Sequence, residues 1–201
     1  MAEGKSSTIW TPANIVTCIR IVLVPIWLLI AEIARKGGML YVGSGVAWAS
    51  FLLYVFISLT DKLDGYLARS RNEVTNFGKF VDPIADKLSV TCALLYLMEL
   101  ELCPIWAVLL VISREFLVSG LRMVVASDGV VVAASNLGKG KTATTMIAIC
   151  ALLLYVTLAP SGFATACSYI GSISLLIAMV LTAWSGIDYF VKCWPYVAET
   201  K

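Results

Sequence analysis

Four aspartates lie close together in the sequences Asp61-Lys62-Leu63-Asp64-Gly65-Tyr66-Leu67-Ala68-Arg69 and Gly78-Lys79-Phe80-Val81-Asp82-Pro83-Ile84-Ala85-Asp86, in a chain that is otherwise largely apolar. On helices, the spacings of Asp61 with Asp64 and of Asp82 with Asp86 put each pair on one face, one turn apart. Oxygen ligands without histidine or thiolate favour magnesium or manganese, and four carboxylates at close range need roughly two such ions. We therefore predict a site for two divalent cations.

The composition is that of a membrane protein. Of 201 residues, 60% are hydrophobic and 14% are charged, and the mean hydropathy is +0.89, which exceeds what a soluble core requires. The net charge of +2 and the lack of a basic run argue against a nucleic-acid partner. The six cysteines contain no Cys-x2-Cys pair, and there is no histidine, so any proton transfer must use a carboxylate, lysine, tyrosine or cysteine.

The hydropathy pattern predicts an all-α membrane domain of six transmembrane helices, covering residues 1–201 as one domain. A short polar N-terminal segment, residues 1–13, is expected at the membrane interface. A helix rises about 1.5 Å per residue, so about 20 residues cross a hydrocarbon core of about 30 Å. Four spans are expected at Ile15–Ala34, Gly37–Thr60, Gly78–Met98 and Leu102–Ala126. The uncharged residues 142–187 supply two more, divided at Pro160-Ser161-Gly162.

The order of the spans predicts that nearly all charges within them lie in one leaflet. The second and third helices meet on the same membrane side as the fourth and fifth, since an even number of crossings separates the two connections. Basic residues flank that side at Arg69, Arg71, Lys79, Lys139 and Lys141. The positive-inside rule therefore predicts a polar cavity open to the cytoplasm, although Arg35 and Lys36 on the opposite side run against the rule.

The acidic motif resembles, at every specified position, the signature Asp-x2-Asp-Gly-x2-Ala-Arg-x8-Gly-x3-Asp-x3-Asp of the CDP-alcohol phosphatidyltransferases. Residues 14–25, 113–122, 136–142 and 184–190 resemble the branch of that family that uses sn-glycerol 3-phosphate, so the resemblance covers almost the whole chain. It implies a homodimeric enzyme of a bacterial cytoplasmic membrane. The expected reaction transfers the phosphatidyl group of CDP-diacylglycerol to sn-glycerol 3-phosphate and releases CMP.

The same resemblance assigns roles to the four carboxylates. Asp61 and Asp82 would bridge two Mg²⁺ or Mn²⁺ ions, Asp64 would complete the first metal site, and Asp86 would complete the second. Asp86 would also act as the general base. That role agrees with the chemistry of the residues, because a carboxylate beside a dinuclear metal site can take the proton of an attacking hydroxyl.

Residues near the acidic motif are expected to bind CDP-diacylglycerol. Gly65 leaves room for a ligand to approach the backbone, and Ala68 acts as a spacing residue. The family pattern assigns Arg69 to the diphosphate, which its planar guanidinium suits, and Thr75 to the nucleotide. The alternatives are ordinary ones: helix packing for Gly65, a surface position for Arg69 and turn chemistry for Thr75.

Only cations can hold the phosphate of the acceptor beside four carboxylates. We predict that this phosphate is bound by Arg114 and Arg122 of helix 4 and by Lys139 and Lys141 of helix 5. Arg20 of helix 1 is expected to join them. Alternatively, Arg114 pairs with Glu115, the lysines reach the headgroups, and Arg20 either reaches the headgroups or meets an anion.

The sequence is also compatible with two other functions. Within the same family the acceptor could be inositol phosphate or a cardiolipin-type acceptor. Outside it, a divalent-cation channel or carrier would also place carboxylates in a helical bundle. A carrier needs a polar route through both leaflets, whereas the predicted charges fill only one.

Overall fold

The structure, a computed structural model, describes residues 11–70, 75–127 and 136–198. For residues 61–70, Lys139 and a few others inside helices it describes the backbone and not the side chain. The described residues form six helices: α1 (Pro12–Lys36), α2 (Gly45–Ser70), α3 (Asn76–Glu99), α4 (Ile105–Ser127), α5 (Asn136–Thr157) and α6 (Gly162–Ala198). The predicted all-α class is confirmed.

Three helices contain stretches that are long and apolar enough to cross a membrane. These stretches are Asn14–Lys36 in α1, Gly140–Thr157 in α5 and Gly162–Pro195 in α6, and a shorter apolar stretch, Gly45–Thr60, lies in α2. Large apolar side chains are exposed along α1 and α6, as for Leu29 at 62%. Exposed apolar surface of this extent suits a lipid environment. The number of six transmembrane helices stays a prediction.

The connection between α1 and α2 is longer than predicted. α2 begins at Gly45 and not at Gly37, because the backbone between them turns repeatedly. Three residues there have φ between 61° and 69°, in the left-handed region that a right-handed helix cannot contain: Gly38, Tyr41 and Gly43. Ser44 then caps α2, its Oγ accepting a hydrogen bond from the Ala47 N–H at 3.2 Å.

Other helices extend past the predicted spans at their polar ends. α2 continues beyond Thr60 to Ser70, so the first half of the acidic motif is helical. α6 continues beyond Ile187 to Ala198. The sequence pattern marks where a helix leaves the hydrocarbon, but a helix ends only where its backbone hydrogen bonds end. α2 and α6 therefore extend beyond their apolar runs, whereas α4 begins at Ile105, three residues after the predicted Leu102.

The chain divides into two compact units, residues 1–93 and residues 94–201. In the first unit α1 packs against α2. The rings of Trp27 and Tyr54 lie with their centroids 5.0 Å apart, and both side chains are fully buried. Ala31 and Ala34 on α1 are also fully buried. Small residues at a helix interface let the two backbones approach closely.

In the second unit α6 packs against both α5 and α4. At the α5–α6 contact, a Cβ placed on Gly171 would lie 2.6 Å from Leu152 Cγ and 3.2 Å from the Leu152 backbone nitrogen. The α4–α6 contact buries a cluster formed by Val118, Val125, Tyr189 and Cys193. α6 is thus the helix that holds this unit together, and it brings its own polar residues to the charged part of α4.

Candidate active site

The second half of the acidic motif lies on the first turns of α3. Asp82 and Asp86 are one turn apart and both are partly buried. Asp61 and Asp64 are on the last turns of α2, but their side chains lie outside the described part of the structure. Among the described residues no group of three or more potential ligands is found, and two of the four aspartates belong to the undescribed side chains. The meeting of the four carboxylates therefore stays a prediction.

Asp82 has a hydrogen-bond partner on another helix. The buried Thr17 of α1 donates from its Oγ1 to Asp82 Oδ1 at 2.8 Å. Asp82 and Asp86 supply only carboxylate oxygens, the ligand type that magnesium and manganese prefer. These two residues thus fit a hard divalent cation. The sequence singled out Thr17 only through the family motif in residues 14–25, and it gave no sign that its partner was Asp82.

Thr75 caps α3. Its Oγ1 accepts hydrogen bonds from the Gly78 N–H at 3.0 Å and from Asn14 Nδ2 at 2.8 Å, and it donates to Asn14 Oδ1 at 3.2 Å. The two Asn14 atoms belong to one amide and lie in nearly the same direction from the hydroxyl, so accepting from Nδ2 and donating to Oδ1 are alternatives. The predicted nucleotide role of Thr75 is not tested by this arrangement.

The other residues predicted to contact CDP-diacylglycerol are on α2. Gly65, Ala68 and Arg69 belong to the last turns of this helix, where the structure describes the backbone alone. Their predicted contacts lie outside the described side chains. Arg20, predicted to join the phosphate pocket from α1, is 1% exposed. It is enclosed by protein, which disfavours the alternative in which it reaches the headgroups.

The second unit contains a charged cluster at the predicted phosphate pocket. Glu115 Oε1 accepts from Arg114 Nη1 at 3.1 Å and from Lys141 Nζ. The side chains are 14%, 22% and 9% exposed for Arg114, Glu115 and Lys141. Two cations and one anion leave a net charge of about +1 in a largely buried place. The sequence predicts Arg114 and Lys141 as neighbours, and both lie at Glu115. Arg114 also forms the ion pair with Glu115 that is the alternative to a phosphate contact.

α6 supplies partners to both arginines of α4. Arg114 Nε donates to Ser185 Oγ at 3.3 Å, and Ser185 in turn donates to the Thr182 carbonyl oxygen at 3.2 Å. Two turns further along α4, and one turn further along α6, Arg122 Nε donates to Tyr189 Oη at 3.4 Å. The guanidinium of Arg122 also lies 5.8 Å from the centre of the tyrosine ring, within cation–π range. The two arginines are therefore held separately, each by its own residue of α6.

A cavity of about 350 Å³ lies beside this cluster, between α4 and α6. Its lining is mostly apolar, with Arg114 as its charged residue: Leu110, Ser113, Arg114, Leu117, Thr182, Ala183, Gly186 and Ile187. A Cβ on Gly186 would lie 3.3 Å from Arg114 Cγ, so the glycine makes room for the arginine stem. The arginine thus borders both the cavity and the charged cluster.

Comparison with known proteins gives the class of this protein. A family model described as CDP-alcohol phosphatidyltransferase matches residues 10–184. The match includes the whole acidic motif and the charged cluster of α4 and α5. The chain therefore belongs to the CDP-alcohol phosphatidyltransferase family, and the resemblance seen in its sequence is confirmed.

Relatives within the family are more specific. A protein of Bacillus subtilis (strain 168) named CDP-diacylglycerol–glycerol-3-phosphate 3-phosphatidyltransferase is 44% identical over 185 residues, covering 90% of this chain and 94% of the relative. A protein of the same name from Rickettsia typhi is 40% identical, covering 91% and 97%. A probable phosphatidylglycerophosphate synthase of Mycobacterium tuberculosis (strain ATCC 25618 / H37Rv) is 36% identical, covering 90% and 80%.

Proposed function

We propose that this protein transfers the phosphatidyl group of CDP-diacylglycerol to sn-glycerol 3-phosphate, forming phosphatidylglycerophosphate and releasing CMP. The observation that carries the proposal is the identity of 40–44%, over 90–91% of the chain, to relatives named for this reaction. The acidic motif agrees with it, since it matches the family signature at every specified position. The protein is accordingly an enzyme of phospholipid biosynthesis.

The acidic motif is proposed to hold two divalent cations, Mg²⁺ or Mn²⁺, through Asp61, Asp64, Asp82 and Asp86. Bound there, the cations would neutralise the diphosphate and stabilise charge on the reacting phosphoryl group. Asp86 is proposed as the general base that accepts the proton of the attacking hydroxyl while CMP leaves. The carboxylate chemistry of Asp82 and Asp86 and their position one turn apart on α3 support this assignment.

CDP-diacylglycerol is proposed to bind along the end of α2. Arg69 would pair with the diphosphate, whose two phosphoryl groups suit the planar guanidinium. Gly65 and Ala68 have little or no side chain, which leaves room for the nucleotide next to the helix. Thr75 remains a candidate for a nucleotide contact. Support comes from the family motif, which Gly65, Ala68 and Arg69 match in full.

The phosphate of glycerol 3-phosphate is proposed to bind at the charged cluster of α4 and α5. Arg114 and Lys141 meet at Glu115 with a net charge of about +1, so a phosphate dianion would find an uncompensated positive charge there. Arg122, Lys139 and Arg20 are proposed as further phosphate-binding residues. Arg122 lies two turns from Arg114 on α4, and Arg20 is a buried cation, which favours a role with an anion.

In the membrane, the protein is proposed to cross six times, with its active site open to the cytoplasm of a bacterium. α2, α3 and α4 are 26, 24 and 23 residues long, which by length alone is enough for a hydrocarbon core of about 30 Å, and the apolar stretch of α2 is the shorter Gly45–Thr60. The basic residues flanking the acidic motif favour the cytoplasmic orientation. A homodimer is proposed on the family resemblance.

The test is an acceptor panel with purified protein. CMP release from CDP-diacylglycerol is measured in Mg²⁺ or Mn²⁺ with glycerol 3-phosphate, glycerol, inositol phosphate and phosphatidylglycerol offered separately. We expect turnover with glycerol 3-phosphate and little with the other three. Turnover with inositol phosphate or phosphatidylglycerol would move the protein to another branch of the family. Equal use of glycerol and glycerol 3-phosphate would refute both the acceptor and the phosphate pocket.

A further inference from the structure

One face of α1 is polar and buried. Asn14, Thr17 and Arg20 recur every three residues and are 3%, 1% and 1% exposed. The apolar residues between them face outward, with Ile19 50% and Val22 59% exposed. In a helix surrounded by lipid, polar side chains are placed where protein can satisfy them. The polar face of α1 therefore has protein partners, which include Thr75 just before α3 and Asp82 on α3.

Asn14 ties α1 to the beginning of α3. Its side chain amide bonds to Thr75, and Thr75 caps α3 through the Gly78 N–H. A Cβ on Gly78 would lie 2.6 Å from Asn14 Oδ1, so this contact requires glycine at that position. Gly78 is also a specified residue of the family signature. The structure shows why glycine suits this position: Gly78 lets α1 approach the first turn of α3, the helix that carries Asp82 and Asp86.

The next residue of this face reaches the acidic motif itself. We propose that Thr17 is a positioning residue for Asp82: its hydroxyl donates to Oδ1 at 2.8 Å and so fixes the orientation of a carboxylate that would bind the divalent cations. A carboxylate has two oxygens and about four acceptor positions, so a hydrogen bond to Oδ1 leaves acceptor positions for a metal. Partners of metal ligands hold them in the orientation the metal needs.

The local backbone explains why Asp82 needs an outside partner. Pro83 follows it inside α3, and proline has no N–H to donate to the Lys79 carbonyl. The helix therefore lacks one main-chain hydrogen bond in the turn that carries Asp82, and proline tends to kink a helix at this place. Thr17 lies on a separate helix and is 1% exposed. Its hydrogen bond therefore holds the Asp82 side chain from outside α3.

The inference rests on the proposed metal site, so its test measures metal binding without substrate. Purified protein in detergent is titrated with Mn²⁺, and free Mn²⁺ is followed by electron paramagnetic resonance. Thr17→Val keeps the shape and removes the hydroxyl, and Thr17→Ser keeps the hydroxyl. We expect Thr17→Val to weaken Mn²⁺ binding about tenfold or more, the usual effect of losing such a partner, and Thr17→Ser to bind nearly as wild type does.

Thr157→Val is the matched control, because Thr157 is also buried and donates to a carbonyl of its own helix, Leu153 O. It should leave Mn²⁺ binding unchanged. If Thr17→Val does not fold, Thr17→Ala and Thr17→Ser are compared, since they differ only in the hydroxyl. Equal Mn²⁺ affinity with and without the hydroxyl would overturn the positioning role and leave the metal site intact. Absence of Mn²⁺ binding in wild type would overturn the metal site and the inference with it.

Discussion

The charged cluster of α4 and α5 predicts that Lys141 has two separable roles, one in stability and one in binding phosphate. Lys141→Gln removes one of the two cations that Glu115 contacts. Removing one partner of a fully buried ion pair costs about 3–5 kcal/mol. Glu115 is 22% exposed and keeps Arg114 at 3.1 Å, so we expect about 1–3 kcal/mol here. For a chain of this length that lowers Tm by about 2–12 °C.

Lys141→Gln should also weaken the binding of glycerol 3-phosphate. A hydrogen bond to a charged group contributes about 1.5–3 kcal/mol, so losing the contact of Lys141 with a phosphate should raise KM for glycerol 3-phosphate about 10- to 150-fold. KM for CDP-diacylglycerol should change little. Both constants come from CMP release at varied concentrations of each substrate, and Tm comes from thermal unfolding in the same detergent.

Glu115→Gln separates the two roles. It breaks the same ion pair but keeps Lys141, so Tm should fall as in Lys141→Gln while KM for glycerol 3-phosphate should not rise. Lys192→Gln is the matched control, because Lys192 pairs with Asp188 at 2.8 Å but is 52% exposed, and such pairs contribute little. A rise in KM for glycerol 3-phosphate in Glu115→Gln as large as that in Lys141→Gln would show that Lys141 acts through stability alone and would refute its role in phosphate binding.

Three further predictions concern single residues. Gly171→Ala should destabilise the protein by about 1–3 kcal/mol, since the new Cβ would lie 2.6 Å from Leu152 Cγ. Gly120→Ala is the control and should not destabilise the protein, because nothing lies within 4 Å of its Cβ. Equal Tm values for the two variants would contradict the close packing of α5 and α6. Thr75→Val should cost about 1–2 kcal/mol through loss of the cap, and an accompanying rise in KM for CDP-diacylglycerol would reveal a nucleotide contact as well. Arg69→Lys keeps the charge and loses the planar fork, so KM for CDP-diacylglycerol should rise and KM for glycerol 3-phosphate should not; the reverse pattern would assign Arg69 to the acceptor.

The helices could be predicted from the sequence because apolar runs of sufficient length have few other solutions in a membrane. The connection at residues 37–44 could not, since it is uncharged and continues directly into the apolar stretch of α2. Its turns depend on positive φ at Tyr41 as well as at two glycines, and a tyrosine gives no such signal. Hydropathy thus located the helices better than their ends.

In the candidate site, the chemical residues could be predicted from the sequence and their hydrogen-bond partners could not. Carboxylates at fixed spacing predict metal chemistry from the sequence alone, and the family motif names their roles. The residues that hold the site residues were not predicted: Thr17 for Asp82, Ser185 for Arg114 and Tyr189 for Arg122. Each contact joins two helices and depends on how they are rotated against each other. Rotation follows from packing, which the spacing of residues on one helix does not contain.

The most direct test of metal-dependent phosphatidyl transfer is the turnover of Asp86→Asn, measured as CMP release with CDP-diacylglycerol, glycerol 3-phosphate and saturating Mg²⁺. Asparagine keeps the size of the side chain but cannot accept the hydroxyl proton and is a poor metal ligand. A lost general base lowers the rate about 10²- to 10⁴-fold, and we expect at least this loss with Tm in EDTA unchanged. Turnover within about tenfold of wild type, about 1.4 kcal/mol of barrier, would contradict the assignment of Asp86 as the base.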